Sequence, residues 1–276
     1  NLPCGETFVR HFMLGKAYMR AHLGVEPTVA YCVDSFGHAA TLPMILAGCG
    51  MDSYVFMRPG PHEMALPGQA FWWQSPDGSR VLAFRISRAY CTGSDDTTEH
   101  TQYAIEDMPA ELGQTMCFYG VGDHGGGPTR RDIDWVREIR DFPTVPGILF
   151  ATTDEYYGAI EAGGYSLPER SGEMNFVFDG CYTTHADVKR GNRLCEQKLQ
   201  AVEALCLMAG DDGFEYPAEK LTALWKRTLF NQFHDILDGS GVKDTYRFTS
   251  KEYEDILTQL GEIEEAAAAC IAARAG

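Results

Sequence analysis

The sequence has 276 residues, 45% of them hydrophobic, which is enough for one large domain or two small ones with a real core. Its formal net charge of −16 at pH 7 argues against nucleic acid or an anionic membrane as a partner. No apolar run approaches the roughly 20 residues that a membrane-spanning helix needs.

Nine cysteines are spread along the chain, and no two of them have CxxC spacing. This pattern supports neither a thiolate zinc site nor a dithiol redox motif. Because the number is odd and several cysteines lie in apolar runs, we expect reduced thiols and a cytoplasmic protein. The opening residues do not resemble a targeting sequence, and the chain is expected to be part of a longer protein.

The first informative pattern is a β-rich run that ends at Asp34. Helical spacing predicts a helix over residues 6–23 before it, and residues 41–47 follow as a short helix with Pro43 in its first turn. An Asp between a strand and a helix lies at the carboxyl edge of a parallel sheet, where α/β folds do their chemistry. The alternative is that Asp34 only caps the helix.

A second strand is predicted at residues 54–57 and ends at Arg58. The resulting βαβ unit would deliver Asp34 and Arg58 to the same sheet edge, because such crossovers are nearly always parallel and right-handed. Two further β-rich runs, residues 71–74 and 80–84, flank an Asp-Gly turn and predict a hairpin.

The middle of the chain continues in alternation, with helices predicted at 100–112, after Pro128 and from a cap at Thr153, and strands at 116–119 and 148–151. This order predicts an α/β fold with a parallel sheet. The pattern then changes to three long helices with short joints, at residues 186–209, 217–237 and 249–274. Three such helices are typical of a bundle domain.

Asp34 and Asp123 each follow a β-rich run and precede a helix. In a closed parallel barrel such positions converge on one rim. Two carboxylates there are the minimum for glycoside chemistry, provided that one stays ionised and the other holds a proton. The alternative is two independent aspartates in turns.

The glycines around Asp123 also match the dinucleotide-binding fingerprint, with Gly120-x-Gly122-x-x-Gly125. A carboxylate inside that loop would repel a pyrophosphate, and the following helix starts only after Pro128. A dinucleotide-dependent oxidoreductase is therefore the weaker interpretation.

His234 lies in the second predicted bundle helix. Four apolar residues form a stripe on that helix, namely Leu224, Trp225, Leu229 and Ile236. At about 100° per residue, His234 falls nearly opposite this stripe. It is then either solvated or a metal ligand that faces a pocket, with Asp34 as a candidate oxygen donor.

The segment Val33-Asp34-Ser35-Phe36-Gly37-His38 resembles the signature of the family 38 α-mannosidases. Further segments resemble that family in the same order and extend the resemblance over nearly the whole chain, at residues 55–59, 71–73, 77–82, 120–129, 172–174, 180–184, 189–193 and 231–237.

The resemblance implies an incomplete (β/α) barrel with mostly parallel strands over residues 1–170. An all-α three-helix bundle over residues 171–276 would contribute to the active site. It also implies a zinc-dependent retaining exo-α-mannosidase that acts on mannose-containing oligosaccharides through a covalent glycosyl-enzyme.

The same resemblance implies roles for individual residues. Asp34 would be both the nucleophile and a zinc ligand, His234 a second zinc ligand, and Asp123 the general acid/base. Arg58 would keep Asp34 ionised.

Three more residues would bind substrate by the same resemblance. Phe178 would be a sugar platform, Asp235 would bind sugar hydroxyls or support the metal, and Tyr90 would line the pocket.

The family's other two zinc ligands come from a His-x-Asp motif on the first barrel strand, which would lie ahead of Asn1. Its β-sandwich domains would follow Gly276. We therefore expect this piece to bind zinc weakly or not at all and to have no useful turnover, while its parent is active. A metal-dependent polysaccharide deacetylase of barrel fold and a non-catalytic folded fragment are the alternatives, and homo-oligomerisation is left open.

Overall fold

The computed structural model describes residues 2–92, 97–123, 125–175, 177–211 and 213–275. They form two compact units. The first unit is Lys16–Val177, and the second combines Leu2–Gly15 with the chain from Phe178 onward. The units divide at 177/178, whereas the sequence pattern predicted 170/171, and that pattern did not indicate that residues 2–15 group with the later part of the chain.

The first unit alternates strands and helices. Helix α1 is Gly5–Leu23, of which the part from Lys16 belongs to this unit. The remaining elements, in chain order, are β1 Val29–Cys32, α2 Leu42–Gly48, β2 Ser53–Phe56, β3 Ala70–Gln74, β4 Arg80–Arg85, α3 Thr98–Glu106, α4 Arg130–Ile139, α5 Thr153–Gly163 and β5 Glu169–Ser171.

The strands form a mixed but mostly parallel sheet in the order β1-β2-β4-β3-β5. Strand β1 pairs in parallel with β2, β2 with β4, and β3 with β5. Strands β3 and β4 are the antiparallel hairpin that the Asp-Gly turn predicts. The prediction of an α/β fold with a largely parallel sheet is therefore confirmed.

The centre of this sheet is buried on both faces, since all four residues of β2 are buried. A continuous apolar run of this kind is typical of parallel strands that are covered on both sides. One core cluster joins strand residues such as Val55, Leu82 and Phe84 to Tyr156 and Ile160 of α5. This packing fixes the strand ends that carry the candidate site.

Two predicted strands are wrong, because residues 116–119 and 148–151 have no regular secondary structure. Strand propensity alone does not make a strand; a partner must supply the ladder hydrogen bonds, and in the described part of the chain no strand pairs with either segment. The Phe118 ring instead packs against Tyr31 in a tilted arrangement, with ring centroids 5.8 Å apart.

Two helix boundaries also differ from the prediction. Helix α3 ends at Glu106 rather than at residue 112. Helix α5 is capped by Thr152, whose hydroxyl accepts from the Glu155 N–H in a capping box, and not by Thr153.

The second unit is helical. Its helices from residue 178 onward are α6 Ala186–Gly210, α7 Ala218–Phe230, the short α8 His234–Leu237 and α9 Lys243–Ala275, preceded by a 3-10 turn at Asp179–Tyr182. They enclose one core cluster that includes Leu199, Leu224, Trp225 and Ile256. The predicted single helix over 217–237 is interrupted at residues 231–233, and the last helix starts at Lys243 rather than at residue 249.

Residues 2–15 attach to this helical unit through polar contacts. Arg10 forms a two-pronged ion pair with Glu203 and lies over the ring of Trp225. The buried carboxylate of Glu196 accepts hydrogen bonds from Cys4 N–H and the Thr7 hydroxyl. A buried carboxylate with several donors fixes one arrangement, because an unpaired charge there is costly.

None of the helices in the described ranges is both long and apolar enough to cross a bilayer.

Candidate active site

Asp34 lies in the loop between β1 and α2 and is half-buried. Helix α2 begins only at Leu42, well after Asp34 in the chain, and its N-cap residue is Thr41. The interpretation of Asp34 as the cap of this helix is therefore wrong. The carboxylate stands at the carboxyl end of a parallel strand, where this class of fold places its functional groups.

The loop after Asp34 is held by a distant segment of the same unit. His38 and Met174 exchange two backbone hydrogen bonds, of 2.6 and 2.9 Å. A Cβ on Gly37 would lie only 2.2 Å from Oδ1 of Asn175, and the Gly37 φ angle is +153°. The close approach of Asn175 therefore requires glycine at position 37, and this contact defines the path of the loop that follows Asp34.

Arg58 occupies the equivalent position after β2 and is half-buried. Its backbone carbonyl oxygen lies 2.7 Å from Nε2 of His38. Since β1 and β2 pair in parallel with Cys32 opposite Phe56, the loops that carry Asp34 and Arg58 leave the sheet side by side. This agrees with the βαβ prediction.

The glycine-rich loop around Asp123 folds back on itself. Val121 N–H donates to the Gly127 carbonyl at 2.9 Å, and Gly120 N–H donates to the Thr92 hydroxyl at 3.0 Å. Asp123 itself is exposed and has a positive φ of 71°. A non-glycine residue in this region stores strain, and such outliers cluster at functional sites.

This loop does not have the geometry of a dinucleotide site. The N-terminus of α4 is occupied by a capping box, in which Thr129 Oγ1 accepts from Asp132 N–H and the Asp132 carboxylate accepts from Thr129 N–H. A carboxylate therefore already fills the place where a phosphate would bind a helix N-terminus.

Tyr90 contacts the backbone of Asp123. Its phenol oxygen accepts a hydrogen bond of 3.1 Å from Asp123 N–H. Burial raises the pKa of Tyr90, the Asp123 hydrogen bond lowers it in part, and the negative charges of Asp34 and Asp123 raise it further. The charges of both aspartates of the predicted pair therefore contribute to the raised pKa of one phenol.

Tyr31 is a residue of this site that the sequence did not single out. Burial raises its pKa to about 12, with further contributions from Tyr90 and Asp34. It lies on β1, three residues before Asp34, and its ring packs against Phe118. Its position on β1 could have indicated this role, because an aromatic residue close to the strand end that precedes Asp34 can line a pocket.

The remaining predicted residues belong to the second unit. His234 opens α8 and its side chain is 38% exposed, while the neighbouring Asp235 side chain is 56% exposed. Phe178 is exposed and has a positive φ of 51°. The helical-wheel argument for His234 is wrong, because the helix stops at Phe230 and the phase is lost across the turn.

The turn before His234 is fixed by polar contacts of Gln232. Gln232 donates through Nε2 to Asn192 Oδ1 at 2.8 Å and to Glu196 Oε1 at 3.1 Å, and its Oε1 accepts from His11 Nε2 at 3.0 Å. These contacts tie the turn to α6 and to residues 2–15. His234 therefore has a well-defined backbone position within its unit.

The donor set for a metal is incomplete in the part of the chain that the structure describes. There, no three His, Cys, Asp or Glu side chains are arranged to hold a metal ion. One His-x-Asp occurs in the sequence, His185-Ala186-Asp187, and it lies at the start of α6, not on a strand. His185 also stacks on Tyr246, with ring centroids 4.0 Å apart.

Comparison with known proteins decides the family. The model of the glycosyl hydrolases family 38 N-terminal domain matches residues 1–180, and that of the alpha mannosidase middle domain matches residues 177–271. The chain belongs to glycosyl hydrolase family 38. The resemblance seen in the sequence is thereby confirmed.

Family 38 relatives match almost the whole chain. Alpha-mannosidase 2C1 of Homo sapiens is 32% identical over 99% of this chain, and alpha-mannosidase of Saccharomyces cerevisiae is 29% identical over 90%. The chain spans only 27% and 24% of their lengths. It therefore corresponds to about a quarter of these relatives.

The fold is also that of solved structures. An alpha-mannosidase from Enterococcus faecalis V583 superposes with a TM-score of 0.81 at 18% identity, over 98% of this chain and 32% of the other. At this identity the likeness concerns the fold.

Proposed function

We propose that the full-length protein carrying this chain removes terminal α-linked mannose from oligosaccharides with retention of configuration. The proposal is supported by the match to family 38 and by the hydrogen bond from Asp123 N–H to the phenol oxygen of Tyr90, whose pKa the negative charge of Asp34 also helps to raise. Two carboxyl groups, one on each side of the glycosidic bond, are what glycoside hydrolysis requires.

The proposed chemistry has two steps. Asp34 attacks the anomeric carbon and forms a glycosyl ester, while Asp123 protonates the departing glycosidic oxygen. Asp123 then takes a proton from water, which attacks the anomeric carbon and releases Asp34. Retaining enzymes of this kind hold the two carboxyl groups about 5 Å apart.

Other residues would assist this chemistry. The guanidinium of Arg58, at the neighbouring strand end, would favour the ionised form of Asp34. The exposed ring of Phe178 would stack on a sugar face, and Asp235 would accept hydrogen bonds from sugar hydroxyls. Tyr90 would fix the backbone of Asp123.

Asp34 and His234 have the donor types that zinc accepts, and we propose them as two of its ligands. Bound zinc would polarise sugar hydroxyls as a Lewis acid. Because a catalytic zinc site uses at least three protein ligands, the set would be completed by residues outside the described part of this chain. This chain by itself is accordingly proposed to bind zinc weakly and to have no useful turnover.

None of the nine cysteines, all of which lie in the described ranges, takes part in a disulfide. This supports the proposal that the protein works in a reducing compartment such as the cytoplasm.

The test uses the full-length protein and an aryl α-mannoside. We expect release of α-mannose as the first product, loss of activity on chelation, and loss of turnover by at least about 10⁴-fold in Asp34→Ala. Asp141→Ala is the matched control, because that carboxylate is 83% exposed on the surface.

Different products would point to different functions. Acetate release from an acetylated polysaccharide would support the deacetylase instead. Retained turnover in Asp34→Ala would remove this residue as the nucleophile.

A further inference from the structure

His38 is a buried polar residue that the proposed chemistry does not use. It lies four residues after Asp34 and has no exposed surface. Its Nε2 is 2.7 Å from the Arg58 carbonyl oxygen, and its Nδ1 is 2.8 Å from the Tyr54 hydroxyl. A carbonyl oxygen only accepts, so Nε2 carries the hydrogen and Nδ1 accepts from Tyr54.

The ring is also fixed by its aromatic neighbours. Tyr54, Phe56 and Trp73 meet it in edge-on arrangements, with ring centroids 5.4, 5.4 and 6.1 Å away. Burial lowers the pKa of His38 to about 4, so the imidazole is neutral near pH 7. One tautomer in one orientation is therefore defined by hydrogen bonding and packing together.

His38 connects three segments of the first unit. Its backbone forms the two-bond bridge to Met174, while its side chain reaches the carbonyl of Arg58. The segment that follows Asp34 is thereby joined to the segment that carries Arg58. Neither segment has regular secondary structure at this point, so strand pairing alone does not set their separation.

We propose that His38 is a positioning residue, whose Nε2–H bond to the Arg58 carbonyl holds Arg58 in place relative to the Asp34 loop. The expected loss of turnover rests on the proposed function, whereas the expected loss of order around Arg58 does not. A displacement of Arg58 by about 1 Å would lower turnover, because catalytic groups lose much of their effect when misplaced.

Two substitutions separate positioning from simple core filling. His38→Gln has a side chain long enough for its Nε2 to keep donating to the Arg58 carbonyl. His38→Asn is shorter, so its amide oxygen can still accept from Tyr54 while the Arg58 carbonyl loses its donor. Both variants remove the imidazole ring from the same aromatic cage, so both should lower the melting temperature by similar amounts.

The kinetic experiment compares both variants in the full-length protein with an aryl α-mannoside. We expect His38→Asn to lose about 100-fold in kcat, with His38→Gln within about tenfold of the wild type and little change in KM for either. Equal kcat in the two variants, or kcat that follows melting temperature alone, would overturn the proposal.

The structural experiment does not depend on activity. Hydrogen exchange is measured over residues 34–38 and 57–60, and ¹⁵N shifts report the His38 tautomer. We expect the Nε2–H form in the wild type and faster exchange in both segments for His38→Asn than for His38→Gln. Equal exchange in the two variants, or the other tautomer, would overturn the positioning role, whereas an inactive wild type would overturn only the proposed function.

Discussion

The backbone N–H of Asp123 donates a hydrogen bond of 3.1 Å to the phenol oxygen of Tyr90. This contact links the segment that follows β4 to the glycine-rich loop. It helps to hold Asp123 in its positive-φ conformation. It also places one phenol within electrostatic reach of both candidate carboxylates. The proposed role of Asp123 as proton donor requires a fixed position, which this hydrogen bond would give to a residue with a strained backbone.

Replacing Tyr90 with Phe is expected to lower kcat of the full-length protein about tenfold. The variant keeps the ring but removes the acceptor for Asp123 N–H, and one such hydrogen bond contributes about 1 kcal/mol, close to the 1.4 kcal/mol that equals a tenfold rate change. Steady-state kinetics with an aryl α-mannoside measure the effect. Tyr18→Phe, at a side chain 61% exposed on α1, is the control, and an unchanged kcat in Tyr90→Phe would contradict the role.

Two glycines of the same loop make a matched pair for stability. A Cβ on Gly120 would lie 2.8 Å from the Gly127 carbonyl carbon at a φ of +118°, whereas nothing lies within 4 Å of a Cβ on Gly127. We expect Gly120→Ala to cost roughly 1–3 kcal/mol or to open the loop, and Gly127→Ala to be close to neutral. Limited proteolysis and hydrogen exchange over residues 120–128 measure this, and similar exchange in both variants would show that the loop adapts freely.

In the helical unit, replacing Glu196 with Gln is expected to lower the free energy of unfolding by about 1–3 kcal/mol. The fully buried carboxylate accepts hydrogen bonds from Cys4, Thr7, Gln232 and Arg193. In the variant, the amide NH₂ group would face some of these donors and could not accept from them. Urea unfolding measures the loss, and hydrogen exchange over residues 2–15 should accelerate.

The control for this prediction is Glu262→Gln. The Glu262 side chain is 65% exposed, and its ion pair with Lys220 at 3.5 Å is at the surface. Such pairs contribute roughly 0–1 kcal/mol. A loss as large as that of Glu196→Gln would mean that the buried network is not the source of the stability.

Stability of the first unit should depend on pH through His38. Its pKa is about 4 in the folded chain and about 6.5 when unfolded, so the unfolded chain binds the proton more readily. The stability that depends on neutral His38 is therefore fully present above pH 6.5. It declines as the pH falls towards 4 and changes no further below that. From the size of the shift it amounts to about 3 kcal/mol.

His38→Gln separates this contribution from that of the carboxylates. Urea unfolding followed by tryptophan fluorescence at pH 7.5 and at pH 4.5 should show a smaller loss of stability in the variant than in the wild type. Equal losses would show that folding does not lower the pKa of His38.

Much of the local structure and the family could be predicted from the sequence. The helix over residues 6–23, the strands before Asp34 and Arg58, and the hairpin at the Asp-Gly turn all have periodicity, propensity or turn chemistry in the chain itself. The order of the predicted strands and helices along the chain also predicted a mostly parallel sheet. These features depend on neighbours only a few residues away.

Other features required the tertiary structure, because they depend on partners distant in sequence. Residues 116–119 have strand propensity but no strand partner among the described residues, and the turn at 231–233 interrupts an otherwise helical pattern. The sequence by itself determined which residues carry carboxylate and imidazole groups, and the family that uses them. Only the tertiary structure decided that Asp123 N–H bonds to the Tyr90 phenol and that His38 is a buried link to Arg58, since hydrogen bonds and burial are set by what the folded chain brings together.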